Sequence, residues 1–490
     1  MSLRPLTACV ALAFIACADD APRTTTPPAP PTISQLTAAV SPANAVALFV
    51  SLAAAHADSV RILYESSTDP SASTPFYRVA AQGPTTISLV GLQASTTYSL
   101  VAEAIGPGGR VTSGSQSMTG DLPPALQALH LRGSGNPSAG YTLVVPLFPD
   151  TSASADGFVV AFDQAGVVRW YHRFPGMWPV EAKQQPNGNI TVFVGRSYGW
   201  QPNAGAFVEL APGGDVVRTY AVEPGYFTDP HELLLSFQGS SVVAAHLIGY
   251  DIHAFDLRSV GGSANAQLAV HTIERHDAAG GVRFRWSAAS LFSISDWPLP
   301  NPNAFDLEHP SSLSISPDGG YVVSFQGMDE VTKIDSTSGA VLWRLGGRHS
   351  QFTIQDDPMN GFLGQHDVQV LPNGNLLMLD DHFRGAPGPA RAVEYSLDTQ
   401  NMVARMVWQY RPSPAVISPI MGSAQRLSDG STLVGFGAAG RVHEVASDGA
   451  VRWSASLTSD ATGGALPFYR ALRLQSLYDA RAAAISVYDR

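Results

Sequence analysis

From about residue 126 onward, apolar and polar positions alternate in short runs separated by turns. "HDVQVLPNGNLLMLD" (366–380) shows the pattern: an alternating run, a Pro-Asn-Gly turn, then a second apolar run. Side chains on a strand alternate between faces, and Asn-Gly supplies the positive φ of a tight turn, so the segment reads as a β-hairpin. Related units are "EAKQQPNGNITVFV", "HELLLSFQGSSVVAAH", "HPSSLSISPDGGYVVSF" and "GSAQRLSDGSTLVGF". A second motif alternates with them, a Gly or polar turn and then a strand carrying an aromatic residue. It appears as "AGVVRWYHRF" (165–174), "GGDVVRTYAV" (213–222), "AGGVRFRWSA" (279–288), "SGAVLWRLGG" (338–347) and "DGAVRWSASL" (448–457), with "NMVARMVWQY" (401–410) as a looser copy. Strands alone, repeating every ~40–50 residues, predict an all-β fold with a six-bladed β-propeller over 126–490. The C-terminal "FYRALRLQSLYD" (468–479) is expected to return to the first blade, because closing the ring removes an open edge strand.

Residues 33–123 follow a different rhythm, with short runs such as "AVALFVSLAAA", "SVRILYES" and "TYSLVAEAIG" between turns. They predict a small β-sandwich ahead of the propeller. "LVGLQASTTYSLVAEAIGPGG" resembles a fibronectin type III module, in which a Leu-containing turn (Leu92) precedes a Tyr-bearing strand (Tyr98) whose ring locks the corner. A spacer or partner-contact role is expected for this unit.

The first twenty residues, "MSLRPLTACVALAFIACADD", place Arg4 before an apolar core over 6–16. That run is too short to span a bilayer and reads as a secretory leader covering 1–18. "FIAC" resembles a bacterial lipobox with Cys17 as the lipidated residue; the alternative is a plain leader cut near Ala18. Residues 19–32 are a Thr/Pro linker. Export to the periplasm or cell surface is expected, with a membrane tether if Cys17 carries lipid.

Charge and cysteine use narrow the chemistry. The formal net charge is −11 and no basic run offsets it, which excludes a nucleic-acid surface. Both cysteines, Cys9 and Cys17, lie in the leader, so the body has no thiol nucleophile, disulfide or Cys-type metal site. No phosphate-binding Gly-rich loop and no GxSxG elbow occurs.

Histidine carries the remaining signal. His231 in "DPHELLLS", His309 in "DLEHPSSLSIS" and His366 in "GQHDVQVLPNG" stand at the head of three successive inner hairpins. Propeller quasi-symmetry directs all three toward one channel mouth. Such a set can bind a metal, supply a nucleophile with acid/base partners, or hydrogen-bond rim carbonyls. His246, His253, His271 and His276 share no register and are expected on strand faces or connections.

"GQHDVQVLPNGNLLMLDD" (364–381) resembles a signature of the arylsulfotransferases, and "ISPDGGYVVSFQGMDEVTKIDSTSGAVLWRLGG" resembles the blade before it. The likeness runs over about 126–480. It implies a six-bladed propeller that moves a sulfuryl group from a phenolic sulfate to a phenol with no nucleotide donor or other cofactor. It also implies that His366 is a nucleophile that becomes transiently sulfated, assisted by His231 and His309. The family carries an arginine on the strand after the second histidine, where this chain has Gln326; it has Asn two residues after that histidine, where this chain has Ser311; and "LDDHF" replaces Asp-Asn-Gly after the third hairpin. Arg348, His349 and Arg384 are candidates for the missing cation at the substrate. The alternative is a propeller that no longer transfers sulfate and serves as a surface binding scaffold.

Overall fold

The computed structural model describes residues 27–149, 155–196, 205–293, 296, 306–384 and 386–478. The leader with Cys17 lies outside the described residues, as does the side chain of Arg384. Strand accounts for 55% and helix for 3%, so the fold is all-β. No helix among the described residues is long and apolar enough to cross a membrane.

Two sheets come first. Strands 32–40, 48–55 and 85–89 form one; strands 59–65, 97–106 and 109–118, with short strands 72–73 and 77–78, form the other. They share a core that includes Val50, Leu52, Val60, Ile62, Ile87 and Leu100. Tyr98 is fully buried in it, and its hydroxyl accepts the Gln93 N–H at 2.9 Å while Leu92 is buried beside it.

Six further sheets of four or more strands follow among the described residues, antiparallel except where strand 353–355 pairs in parallel with strand 403–410. Their inner strands are 468–474, 178–184, 227–238, 310–315, 366–370 and 423–426, hereafter sheets 1 to 6 in that order. Each inner strand packs beside the next, and 423–426 packs against 468–474, so the series closes on itself. Two long-range pairings seal the ring. Strand 468–474 joins strand 141–146 in sheet 1, and strand 129–135 joins strand 451–459 in sheet 6.

The apolar clusters lie between neighbouring sheets. In strand 376–380, Leu376 and Met378 face the cluster shared with sheet 4, whereas Leu377 and Leu379 face the one shared with sheet 6. Alternate residues therefore feed opposite cores, which explains the unbroken apolar run "LLML". Each such fully buried Leu contributes about 2–3 kcal/mol relative to exposure.

The N-terminal sheets dock on the ends of the strands opposite the histidines. Arg169 donates to both Asp69 oxygens, at 2.7 and 2.9 Å. The Val90 N–H donates to the Tyr478 hydroxyl at 3.1 Å, and Ser41 Oγ donates to the Gly213 carbonyl at 3.0 Å. The face where the inner strands begin is not used by these contacts.

Candidate active site

Three inner strands carry the expected imidazoles at or near their heads. His231 lies in strand 227–238, His309 directly precedes strand 310–315, and His366 opens strand 366–370. Pairing with the second strand of each sheet slips at this point, between Thr228 and Leu233, Pro310 and Ser312, and His366 and Gln369. Such irregularities re-aim side chains out of the regular pleat. Two non-glycine residues beside the slips have left-handed backbone, His309 at φ 44° and Asp367 at φ 51°. That conformation costs on the order of 1–3 kcal/mol and is held by the surrounding sheet.

The rings converge. His231 and His309 lie with centroids 4.8 Å apart, edge to face, and the Tyr469 ring centroid is 6.0 Å from that of His231. His231 is 1% and His366 4% exposed, whereas the His309 side chain keeps 16%, so His309 is the most open of the three.

Each imidazole is gripped through Nδ1. His231 Nδ1 is 2.8 Å from Asp229 Oδ1, which also accepts the His231 backbone N–H at 2.9 Å. His309 Nδ1 is 3.0 Å from Asp306 Oδ2, while Oδ1 of the same residue accepts the His309 N–H at 3.0 Å. His366 Nδ1 is 3.1 Å from the Gly364 carbonyl oxygen. Asp381 flanks it with Oδ2 at 2.7 Å but without a directed hydrogen bond. A carbonyl only accepts, so Nδ1 of His366 carries the proton and Nε2 keeps its lone pair. The Met421 N–H points at that Nε2 from 3.3 Å.

Burial, with His309 and His231 adding to it, holds His366 well below the usual imidazole value, so the ring is neutral. Burial likewise lowers His231, opposed in part by Asp229. Burial, with Asp380 alongside, pushes the Asp381 carboxyl well above its usual range.

The Gln365 side chain of the Gln-His pair is structural. It is fully buried, its Nε2 donates to Ser324 Oγ and to the Glu330 carbonyl, both at 3.1 Å, and the backbone carbonyl of Gln365 accepts Ser311 Oγ at 2.9 Å. It pins the His366 segment to sheet 4. Gly364 is required there: its φ is 65°, and a Cβ would lie 3.1 Å from the Phe383 carbonyl oxygen and 3.4 Å from Gln326 Nε2.

Gln326 is therefore at the site. Its N–H donates to the His309 carbonyl at 2.9 Å, and its amide stands beside Gly364. Arg348 lies exposed in the turn after strand 341–346. The arginine whose charge reaches His366 is Arg470, which sequence reasoning missed. Arg470 is 4% exposed; it donates to Glu232 Oε2 and to the Ser311 carbonyl, both at 3.0 Å, with Asp367 Oδ1 3.6 Å from Nε. Glu181 and Lys183 complete this charged layer beneath the imidazoles, 3.3 Å apart. Burial pushes Glu181 up to about 7, with Lys183 opposing. The sign of Arg470 was legible in "FYRALRL", where Tyr469 and Arg470 follow the closing strand's first residue. The Asp-x-His and Asp-x-x-His spacings of Asp229/His231 and Asp306/His309 were legible too.

Among the described residues no group of three or more His, Cys, Asp and Glu is arranged to hold a metal ion. Residues 219–458 match the arylsulfotransferase (ASST) family model. The arylsulfotransferase match begins in the last strand of sheet 2, ends in the outer strand of sheet 6, and includes His231, His309, Gln326, Arg348 and His366. No curated protein matches the chain. Among solved structures, a protein of unknown function from Bacteroides caccae is similar at 13% identity, covering 69% of this chain and 100% of that one with a TM-score of 0.42. A streptogramin B lyase is similar at 11%, covering 69% and 90%, with a TM-score of 0.37. A virginiamycin B lyase from Staphylococcus aureus is similar at 10%, covering 67% and 99%, with a TM-score of 0.32.

Proposed function

We propose that this chain is an exported, PAPS-independent arylsulfotransferase built as a fibronectin type III-like sandwich and a six-bladed propeller. It moves a sulfuryl group from a phenolic sulfate ester to a phenol through a sulfohistidine at His366. The observation that carries the reading is the tautomer of His366: Nδ1–H on the Gly364 carbonyl and Nε2 basic, with His309 and His231 near enough to act on the ring's charge.

The His366 Nε2 lone pair attacks sulfur; the N–S bond forms as the S–O bond to the aryl group breaks. The departing phenolate takes a proton from Nε2–H of His309, whose Nδ1 is held by Asp306. In the second half the acceptor phenol returns a proton to that ring and its oxygen attacks sulfur, releasing His366. The Met421 N–H, the Gln326 amide and the Tyr469 hydroxyl stand beside the imidazoles and serve as neutral donors to the sulfuryl oxygens in this reading. Cys17, if lipidated, tethers the enzyme to the membrane. Phenyl sulfate incubation without acceptor is the test: intact mass should rise by one sulfuryl group that maps to His366, and an unmodified His366 under turnover rejects the mechanism.

A second reading is favoured by Gln326, where a neutral amide stands in place of a cation, and by Arg470, whose charge is committed to Glu232. It makes the chain a surface binding scaffold. Retention of a phenyl sulfate with no turnover supports it.

A further inference from the structure

His271 was expected on a strand face or a blade connection, sharing no register with the other histidines. It lies on a strand, directly behind two of the three imidazoles. Its ring is 3% exposed, in strand 266–277 of sheet 3. Three carboxylates surround it. Glu308 Oε2 is 3.0 Å from Nδ1 and also accepts the His271 backbone N–H at 2.9 Å. On the other side, Nε2 stands 3.8 Å from Asp229 Oδ2 and 3.7 Å from Asp306 Oδ1. From the neighbouring strand the Tyr250 ring faces it, with centroids 5.7 Å apart. Asp229 and Asp306 are the carboxylates that hold Nδ1 of His231 and His309.

We propose that His271 is a positioning residue for the candidate sulfuryl transfer: a buried imidazolium that bridges Asp229 and Asp306 and thereby sets the charge and orientation of His231 and His309. This rests on the transferase reading for its kinetic consequences, and on geometry alone for the bridge. Three buried carboxylates within 4 Å of one ring cannot all stay ionised beside a neutral imidazole without a large repulsive cost. Burial alone would lower His271, but Asp306, Glu308 and Asp229 together outweigh it and push it up to about 9. Asp306 is in turn held well below the usual carboxylate range, because His271 and His309 outweigh its burial. His271 stands behind the two aspartates that hold Nδ1 of His231 and His309, so it acts through them. Its single positive charge keeps Asp306 ionised and both aspartates aimed at Nδ1, while its nearness restrains His231 and His309 from binding protons too tightly.

The test uses the full chain with histidine side chains labelled in nitrogen-15, each resonance assigned by single-histidine variants. The ring of His271 should show both nitrogens protonated through pH 8, and His231 and His309 should each show a protonated Nδ1. In His271→Gln the latter two should lose that single form. The same variant should lower kcat about ten- to hundredfold while leaving KM for a phenyl sulfate nearly unchanged. Removing the positive charge raises the proton affinity of His231 and His309, so the alkaline limb of kcat/KM should move to higher pH. A wild-type His271 ring that is neutral at pH 7 overturns the bridge, as does His271→Gln with unaltered His231 and His309 spectra. An alkaline limb that stays put or moves down overturns the kinetic consequence. If the wild type transfers no sulfuryl group at all, the transferase reading fails, while the spectra still decide the bridge.

Discussion

The carbonyl oxygen of Gly364 lies 3.1 Å from Nδ1 of His366, two residues along the chain. That one contact assigns the ring's proton and leaves Nε2 as the nucleophilic atom. It depends on a glycine at φ 65°, a conformation that strains an L side chain, with the Phe383 carbonyl oxygen 3.1 Å from where a Cβ would stand.

Because burial and the two neighbouring imidazoles hold His366 below 6.5, its neutral form persists into mild acid. The acid limb of kcat/KM due to this group should therefore fall below pH 6.5. His366→Ala should lower kcat at least about a thousandfold and abolish the covalent adduct. Transfer at wild-type rates in that variant would assign the nucleophile elsewhere.

Asp306→Asn keeps the shape beside His309 but removes the negative charge that holds Nδ1–H. An amide can present its NH₂ to the ring and select the wrong tautomer, so kcat should drop by roughly 10²–10⁴-fold with a smaller change in KM. Steady-state kinetics on a chromogenic phenyl sulfate measure this; equal losses in Asp306→Asn and in an exposed control such as Asp448→Asn would refute it.

Gln326 stands beside Gly364 and His309 with a neutral amide. Gln326→Arg places a fixed cation where the sulfuryl oxygens are expected, and kcat should rise about tenfold, a gain of about 1.4 kcal/mol in transition-state binding. A fall in kcat with an intact fold would show that Arg470 already provides all the charge the site can use.

Arg391 is completely buried and donates to Asp357 at 2.8 and 2.9 Å and to Asp380 at 2.9 Å. Asp380 in turn accepts the Leu363 N–H at 3.0 Å, in the segment leading to His366. Arg391→Met leaves two buried carboxylates without their cation and should cost about 3–5 kcal/mol. Denaturant unfolding of the variant checks it; a loss below about 1 kcal/mol would mean the loop relaxes to solvate them.

Asp69 joins the N-terminal sheets to sheet 1 through Arg169. Burial would raise its carboxyl, but Arg169, Tyr98 and Gln93 outweigh burial and lower it. A lowered folded pKa stabilises above the unfolded value near 3.8 and loses that contribution as pH falls through the folded one. Asp69→Asn should cost about 2–3 kcal/mol at neutral pH and flatten the acid side of the stability curve. Thermal melts between pH 3 and 7 read both effects; parallel curves for wild type and variant would contradict the assignment.

The strand pattern and the three imidazoles were written in the sequence, because alternation, Asn-Gly turns and the position of a residue within a hairpin are local properties. The Gln-His pair, the Asp-x-His spacing and Gln326 were equally readable there. What the chain order could not convey was which distant groups meet. Arg470 reaches His366 only because strand 468–474 returns to pair with strand 141–146 and close the ring. His271 meets Asp229 across sheet 3 and Asp306 only because sheets 3 and 4 pack side by side, and it shares no register with the histidines whose carboxylates it approaches. Even the aim of the three catalytic candidates came from slips at the strand heads, which alternation alone would have smoothed away. Local periodicity determines the elements; long-range closure determines the electric field in which their side chains work.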